Sequence, residues 1–63
     1  MNEELYKLLW QMERTADSVY RPLVSLSMDY KCDNAIELDI DDEINRAKIL
    51  IEQLEQLKIM LTF

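Results

Sequence analysis

Eight apolar residues in the first half of this chain follow one another at alternating spacings of four and three: Leu5, Leu9, Met12, Ala16, Val19, Leu23, Leu26 and Tyr30. That alternation puts all eight on one stripe of a helix, a seam by which helices pair. A second helical stretch follows, with Ile40, Ile44, Ala47, Leu50, Ile51, Leu54, Leu57 and Leu61 on one side. This face is broader than a two-in-seven seam, as in a helix with several helical neighbours. Ile49, Ile59 and Phe63 fall outside it, and Glu52, Gln53, Glu55, Gln56 and Lys58 line the expected wet side. The expected fold is therefore all-α: an antiparallel two-helix hairpin that assembles into a homodimeric four-helix bundle, with the first ladder as its oligomer seam.

Size sharpens that expectation. Sixty-three residues make a single domain, 1–63, with a marginal core. Small scaffolds make up the deficit with disulfides, a metal, oligomerisation or exceptional packing. Cys32 is the only cysteine and there is no histidine, so an internal disulfide is excluded and a zinc site nearly so. Packing and self-association remain.

The first helix is expected from a cap at about Asn2 to about Lys31. Pro22 lies inside it and removes the hydrogen bond to the Ser18 carbonyl. The ladder keeps its register from Val19 to Leu23 to Leu26, which predicts one kinked, continuous helix; the alternative is a break near Arg21, because a residue before proline resists the helical conformation. The chain has no glycine, so a turn residue at positive φ must be of another type. Asn34 is the first candidate, with Asp33 beside it. A connector spans about 32–38. Ala35–Ile40 alternates apolar and polar like a strand, while Ile36, Ile40 and Ile44 suit a helix; an extended connector through about Leu38 is the favoured reading. The second helix is expected from about Asp39 to about Thr62.

The formal charge of −6 is concentrated. Residues 32–43 hold six acids (Asp33, Glu37, Asp39, Asp41, Asp42 and Glu43) and no base, while the flanking segments nearly cancel. Acids at the start of the second helix complement its dipole and cap its free N–H groups. The functional alternative is an acidic knob, led by Asp39, Asp41 and Asp42, that docks on a basic partner.

The first helix also carries more apolar surface than one seam. Tyr6, Trp10, Tyr20 and Val24 make a discontinuous second stripe, interrupted by Glu13 and Asp17. Tyrosine and tryptophan are enriched at protein interfaces. The stripe either closes the homodimer or docks another protein.

Several chemistries lack their residues. Acid–base catalysis usually draws on a histidine, a cysteine with a base or paired carboxylates in a pocket; there is no histidine, the pair Glu52 and Glu55 is expected to face water, and a Glu-x-x-His di-iron motif cannot occur. Without glycine there is no phosphate-cradling loop. Cys32 reads as an incidental turn residue. Asp39, Asp41 and Glu43 imitate the opening of a calcium loop, but Ile44 and Leu50 stand where its glycine and glutamate belong. Nucleic-acid binding is disfavoured by scattered bases in an acidic chain. No cofactor or metal is expected, and no enzymatic activity. The longest apolar run is three residues and the N-terminus is acidic, so neither a membrane span nor a secretory leader is expected. Together with a lone thiol this predicts a cytoplasmic protein. The leading expectation is a small regulatory protein that modulates a larger protein partner through a helical face. The alternatives are an acidic inhibitor that mimics nucleic acid against a nucleic-acid-binding enzyme, as phage anti-defence proteins do, and a structural subunit or dedicated chaperone paired with one helical partner.

Overall fold

A computed structural model of the chain describes residues 2–62. It contains two α-helices, α1 (Glu3–Lys31) and α2 (Ile40–Leu61), packed against each other as a hairpin. No strand forms among the described residues, so the Ala35–Ile40 alternation does not produce one. Phe63 lies outside the described residues.

Each helix begins where its cap dictates. Asn2 Oδ1 accepts from the N–H groups of Glu4 and Leu5 at 3.0 and 3.2 Å. Asp39 Oδ1 accepts from the Asp42 N–H at 3.2 Å. Capping of this type contributes about 1 kcal/mol per helix. Glu3 and Glu4 in the first turn of α1, and Asp41, Asp42 and Glu43 in that of α2, face the positive end of each dipole. Helix α1 continues through Pro22 without a break at Arg21.

The exit from α1 corrects one expectation. The residue at positive φ is Asp33, at 57°, rather than Asn34. With the helix ending at Lys31 and Cys32 as cap, the left-handed position falls on residue 33. The Asp33 N–H then donates to the Tyr30 carbonyl at 3.3 Å and the Asn34 N–H to the Asp29 carbonyl at 2.8 Å. These two bonds are a Schellman closure. Asn34 is needed as its outer donor, so the strained position falls to its neighbour.

The seam between the two helices of the hairpin takes up only part of the ladder. On α1 the side turned to α2 carries Leu5, Leu8, Met12, Thr15, Val19, Pro22, Leu26 and Asp29, all buried or half-buried. Four ladder residues (Leu5, Met12, Val19 and Leu26) belong to it, whereas Leu9, Leu23 and Tyr30 are exposed. On α2 the inward side carries Glu43, Arg46, Leu50, Gln53, Leu57 and Met60, with Ala47 at its edge. Ile40, Ile44, Ile51, Leu54 and Leu61, expected inside, are exposed, and Gln53, expected in water, is half-buried. Leu8 is the only buried apolar residue among those described.

The hairpin is consequently thin. Its extents are 49 × 20 × 14 Å and its radius of gyration is 15.1 Å, against about 11 Å for a compact globule of this length. Stable domains stack two or more layers of secondary structure; this slab is one layer.

Candidate protein-interaction surfaces

The slab has two broad faces, and helical geometry makes them opposite in character. One residue's advance turns a helix by 100°. Stepping one position forward from the inward residues of α2 gives Ile44, Ala47, Ile51, Leu54, Lys58 and Leu61; Ile40 extends the line toward the N-terminus. The same step on α1 gives Tyr6, Leu9, Glu13, Ala16, Tyr20, Leu23, Ser27 and Tyr30. Both lines border one side of the hairpin, because Leu9, Met12, Glu13, Ala16, Leu50 and Leu54 line a single open groove of about 420 Å³. Large apolar side chains dominate this face.

One position backward gives the other face. On α1 it presents Glu4, Lys7, Gln11, Arg14, Ser18, Arg21, Ser25 and Met28. On α2 it presents Asp42, Asn45, Ile49, Glu52, Gln56 and Ile59. Glu4, Lys7, Gln11 and Gln56 border a groove on this side, with Leu8 and Met60 at its floor. The face is mostly polar and needs no cover.

The seam itself carries polar groups. Glu43 is buried and lies 3.4 Å from the Arg46 guanidinium, which also pairs with Asp42. Both Glu43 carboxylate oxygens, Arg46 Nε and Gln53 Oε1 are buried without a hydrogen-bond partner. Buried groups in this condition weaken a seam. Sequence reading missed Glu43 and Arg46 as inward residues, since both sit where an amphipathic helix normally meets water. Their i, i+3 spacing in step with Leu50 and Gln53 was the available signal.

The residues expected to bind a partner separate into two groups. Tyr6, Trp10, Tyr20 and Val24 are all exposed on α1. Trp10 and Val24 point away from α2, and Tyr6 and Tyr20, each one position after an inward residue (Leu5 and Val19), border the apolar broad face. Tyr6 with Trp10 and Tyr20 with Val24 form two patches about 20 Å apart along the helix. The Arg14 guanidinium lies 5.0 Å from the centre of the Trp10 ring, and Arg21 pairs with Asp17 at 2.8 Å between the patches. Of the acidic residues, Asp39 is occupied as a cap, Asp42 is held by Arg46, and Asp41 is exposed in the first turn. Cys32 is an exposed free thiol.

Among the described residues no cluster of three or more His, Cys, Asp or Glu side chains is placed to hold a metal ion. No described helix is long and apolar enough to cross a membrane. Comparison with protein-family models, with curated proteins and with solved structures finds no match for this chain.

Proposed function

We propose that this chain is a small non-enzymatic binding protein that works as a homodimeric four-helix bundle and modulates a larger protein through the outer stripe of α1. One observation carries the reading: the surface left bare. The hairpin exposes 5474 Å², whereas the size scaling of folded monomers gives about 4,300 Å² for a chain of this mass. The excess of about 1,200 Å² exceeds the roughly 800 Å² that each partner contributes to a standard protein interface. Self-association through the apolar broad face covers much of it and leaves Trp10 and Val24 outside as contacts for a target, with Tyr6 and Tyr20 at the edge of the covered face. Aromatic side chains of this kind often supply most of the binding energy in an interface. Cytoplasmic residence fits the free exposed thiol.

The test compares the wild-type chain with a Trp10→Ala variant, each used as bait in a lysate of the source cells. A specific protein retained by the wild type and lost by about 30-fold or more in the variant, at unchanged helicity and unchanged mass, is the expected result. Equal retention by both rules out the α1 stripe. Loss of helicity in the variant makes Trp10 structural and rules out the same reading.

A second reading, a structural subunit that pairs with one dedicated helical partner, rests on the near absence of buried apolar side chains. It requires the isolated chain to remain monomeric or aggregate. The nucleic-acid mimic is less well supported, because Asp39, Asp42 and Glu43 have roles within the hairpin.

A further inference from the structure

We infer that the apolar broad face is covered by a second copy of this chain turned end for end, so that the connector of each hairpin lies beside the open end of the other and α2 packs on its own symmetry mate across a two-fold axis at Ile51. This rests on the homodimer reading above and adds orientation and register to it.

Two hairpins stacked on one face can be related in two ways. A two-fold axis parallel to the helices sets both connectors at the same end and places α1 over the partner's α2. An axis perpendicular to the helices, in the plane of the interface, sets the connectors at opposite ends and places α2 over α2 and α1 over α1. Adjacent helices run antiparallel in both arrangements, so helix dipoles do not choose between them.

Charge does choose. Residues 17–47, the connector half of the hairpin, hold eight acids and three bases, a net of −5. The open half, residues 1–16 and 48–63, holds five acids and four bases, a net of −1. The parallel-axis arrangement sets −5 beside −5. The end-for-end arrangement sets −5 beside −1 at both ends and removes most of that repulsion. It also brings Lys58, the only charged member of the exposed α2 line, over the partner's Ile44, within a turn of the exposed Asp41 at the acidic start of that helix. Opposed charges of this kind fix register and suppress wrong pairings.

The side-chain sizes agree. Reversed about Ile51, the exposed line of α2 is self-complementary to within one residue: Ile51 meets its own copy, the Lys58 stem crosses Ile44, and Ala47 and Ile40 each fall within one residue of a position opposite Leu54 and Leu61. A small residue facing a large one lets the layers interdigitate. Trp10 and Val24 remain on the outside of α1 in this arrangement, and Tyr6 and Tyr20 lie at the edge of the interface.

Cysteine cross-linking tests it on the intact chain. In a Cys32→Ser background, Ile51→Cys places one thiol per copy at the axis, close enough for a disulfide; in the parallel-axis dimer the two α2 helices are diagonal and beyond disulfide reach. Wild-type Cys32 supplies the converse probe, since the end-for-end dimer holds the two Cys32 residues about 50 Å apart and the parallel-axis dimer holds them at one end. Each protein is oxidised at a concentration where light scattering gives its mass. The expected result is a dimeric mass for both, near-complete disulfide dimer for Ile51→Cys, and none for wild-type Cys32. A dimeric mass with cross-linking through Cys32 and not through Ile51→Cys overturns the orientation and leaves the homodimer reading standing. A dimeric mass with neither cross-link overturns the end-for-end proposal, orientation and register together, because the parallel-axis dimer sets its two α1 helices, and the Cys32 caps on them, on the diagonal as well. A monomeric mass for the wild type overturns self-association itself. Capture of a target through Trp10 is measured separately and survives or fails independently of these outcomes.

Discussion

The two broad faces of the hairpin come from the same helices, one residue apart in phase, and they differ in nearly everything that matters for assembly. The forward face presents Ile44, Ile51, Leu54, Leu9 and Leu23; the backward face presents Asp42, Asn45, Gln56, Gln11 and Ser18. Ile49 and Ile51 show the contrast most directly. They are similarly exposed, at 49% and 54%, yet Ile49 sits among Asn45, Glu52 and Gln56, and Ile51 sits among Ala47 and Leu54. A scattered exposed isoleucine is ordinary on any protein surface, whereas a contiguous apolar face marks an interaction site. Exposure alone does not identify a binding residue; its neighbours on the helix do.

The largest expected effect breaks or confirms this contrast. Ile51→Glu sets two carboxylates against each other at the dimer axis, an uncompensated burial of charge worth about 3–5 kcal/mol. Light scattering is expected to show a monomer where the wild type is a dimer, while Ile49→Glu leaves the mass unchanged. Equal effects of the two substitutions erase the distinction between the faces.

The next effect compares the apolar face with the polar seam behind it. Arg46→Ala removes the partner of the buried Glu43 carboxylate and is expected to destabilise the hairpin by about 1–3 kcal/mol, read as a lower urea midpoint. The double change Glu43→Leu/Arg46→Met removes both charges and is expected to match or exceed wild-type stability. A double variant as weak as Arg46→Ala means that the ion pair itself holds the seam together.

The smallest effect lies at the turn. Asp33 occupies a left-handed position that glycine takes without steric cost. Asp33→Gly is expected to raise stability by about 0.5–1 kcal/mol, visible as a small rise in Tm at fixed protein concentration. A fall in Tm assigns Asp33 a side-chain contact that the Schellman closure does not require.

The ends of the helices were legible because their signals are local. Asn2 and Asp39 cap free N–H groups within three residues of themselves, and the ladder keeps its spacing across Pro22, so both helices stand close to where the sequence places them. The left-handed residue was narrowed to two neighbours, and the hydrogen bonds of the closure selected Asp33. The exposure of Tyr6, Trp10, Tyr20 and Val24 was also legible, since the stripe lies too far round α1 for one neighbouring helix to cover.

The rotation of each helix about its own axis was not legible. A helix with an apolar arc wider than one seam can pair in more than one setting at similar cost, and counting apolar residues favours the setting that buries the most of them. The hairpin adopts another, with Thr15, Asp29, Glu43, Arg46 and Gln53 on the inward sides. Periodicity and caps, which act over a few residues, determined that there are two helices and where they begin and end. Only packing between segments far apart in the chain decided which stripe faces inward, because one neighbouring helix covers one seam and the remaining apolar line must face outward.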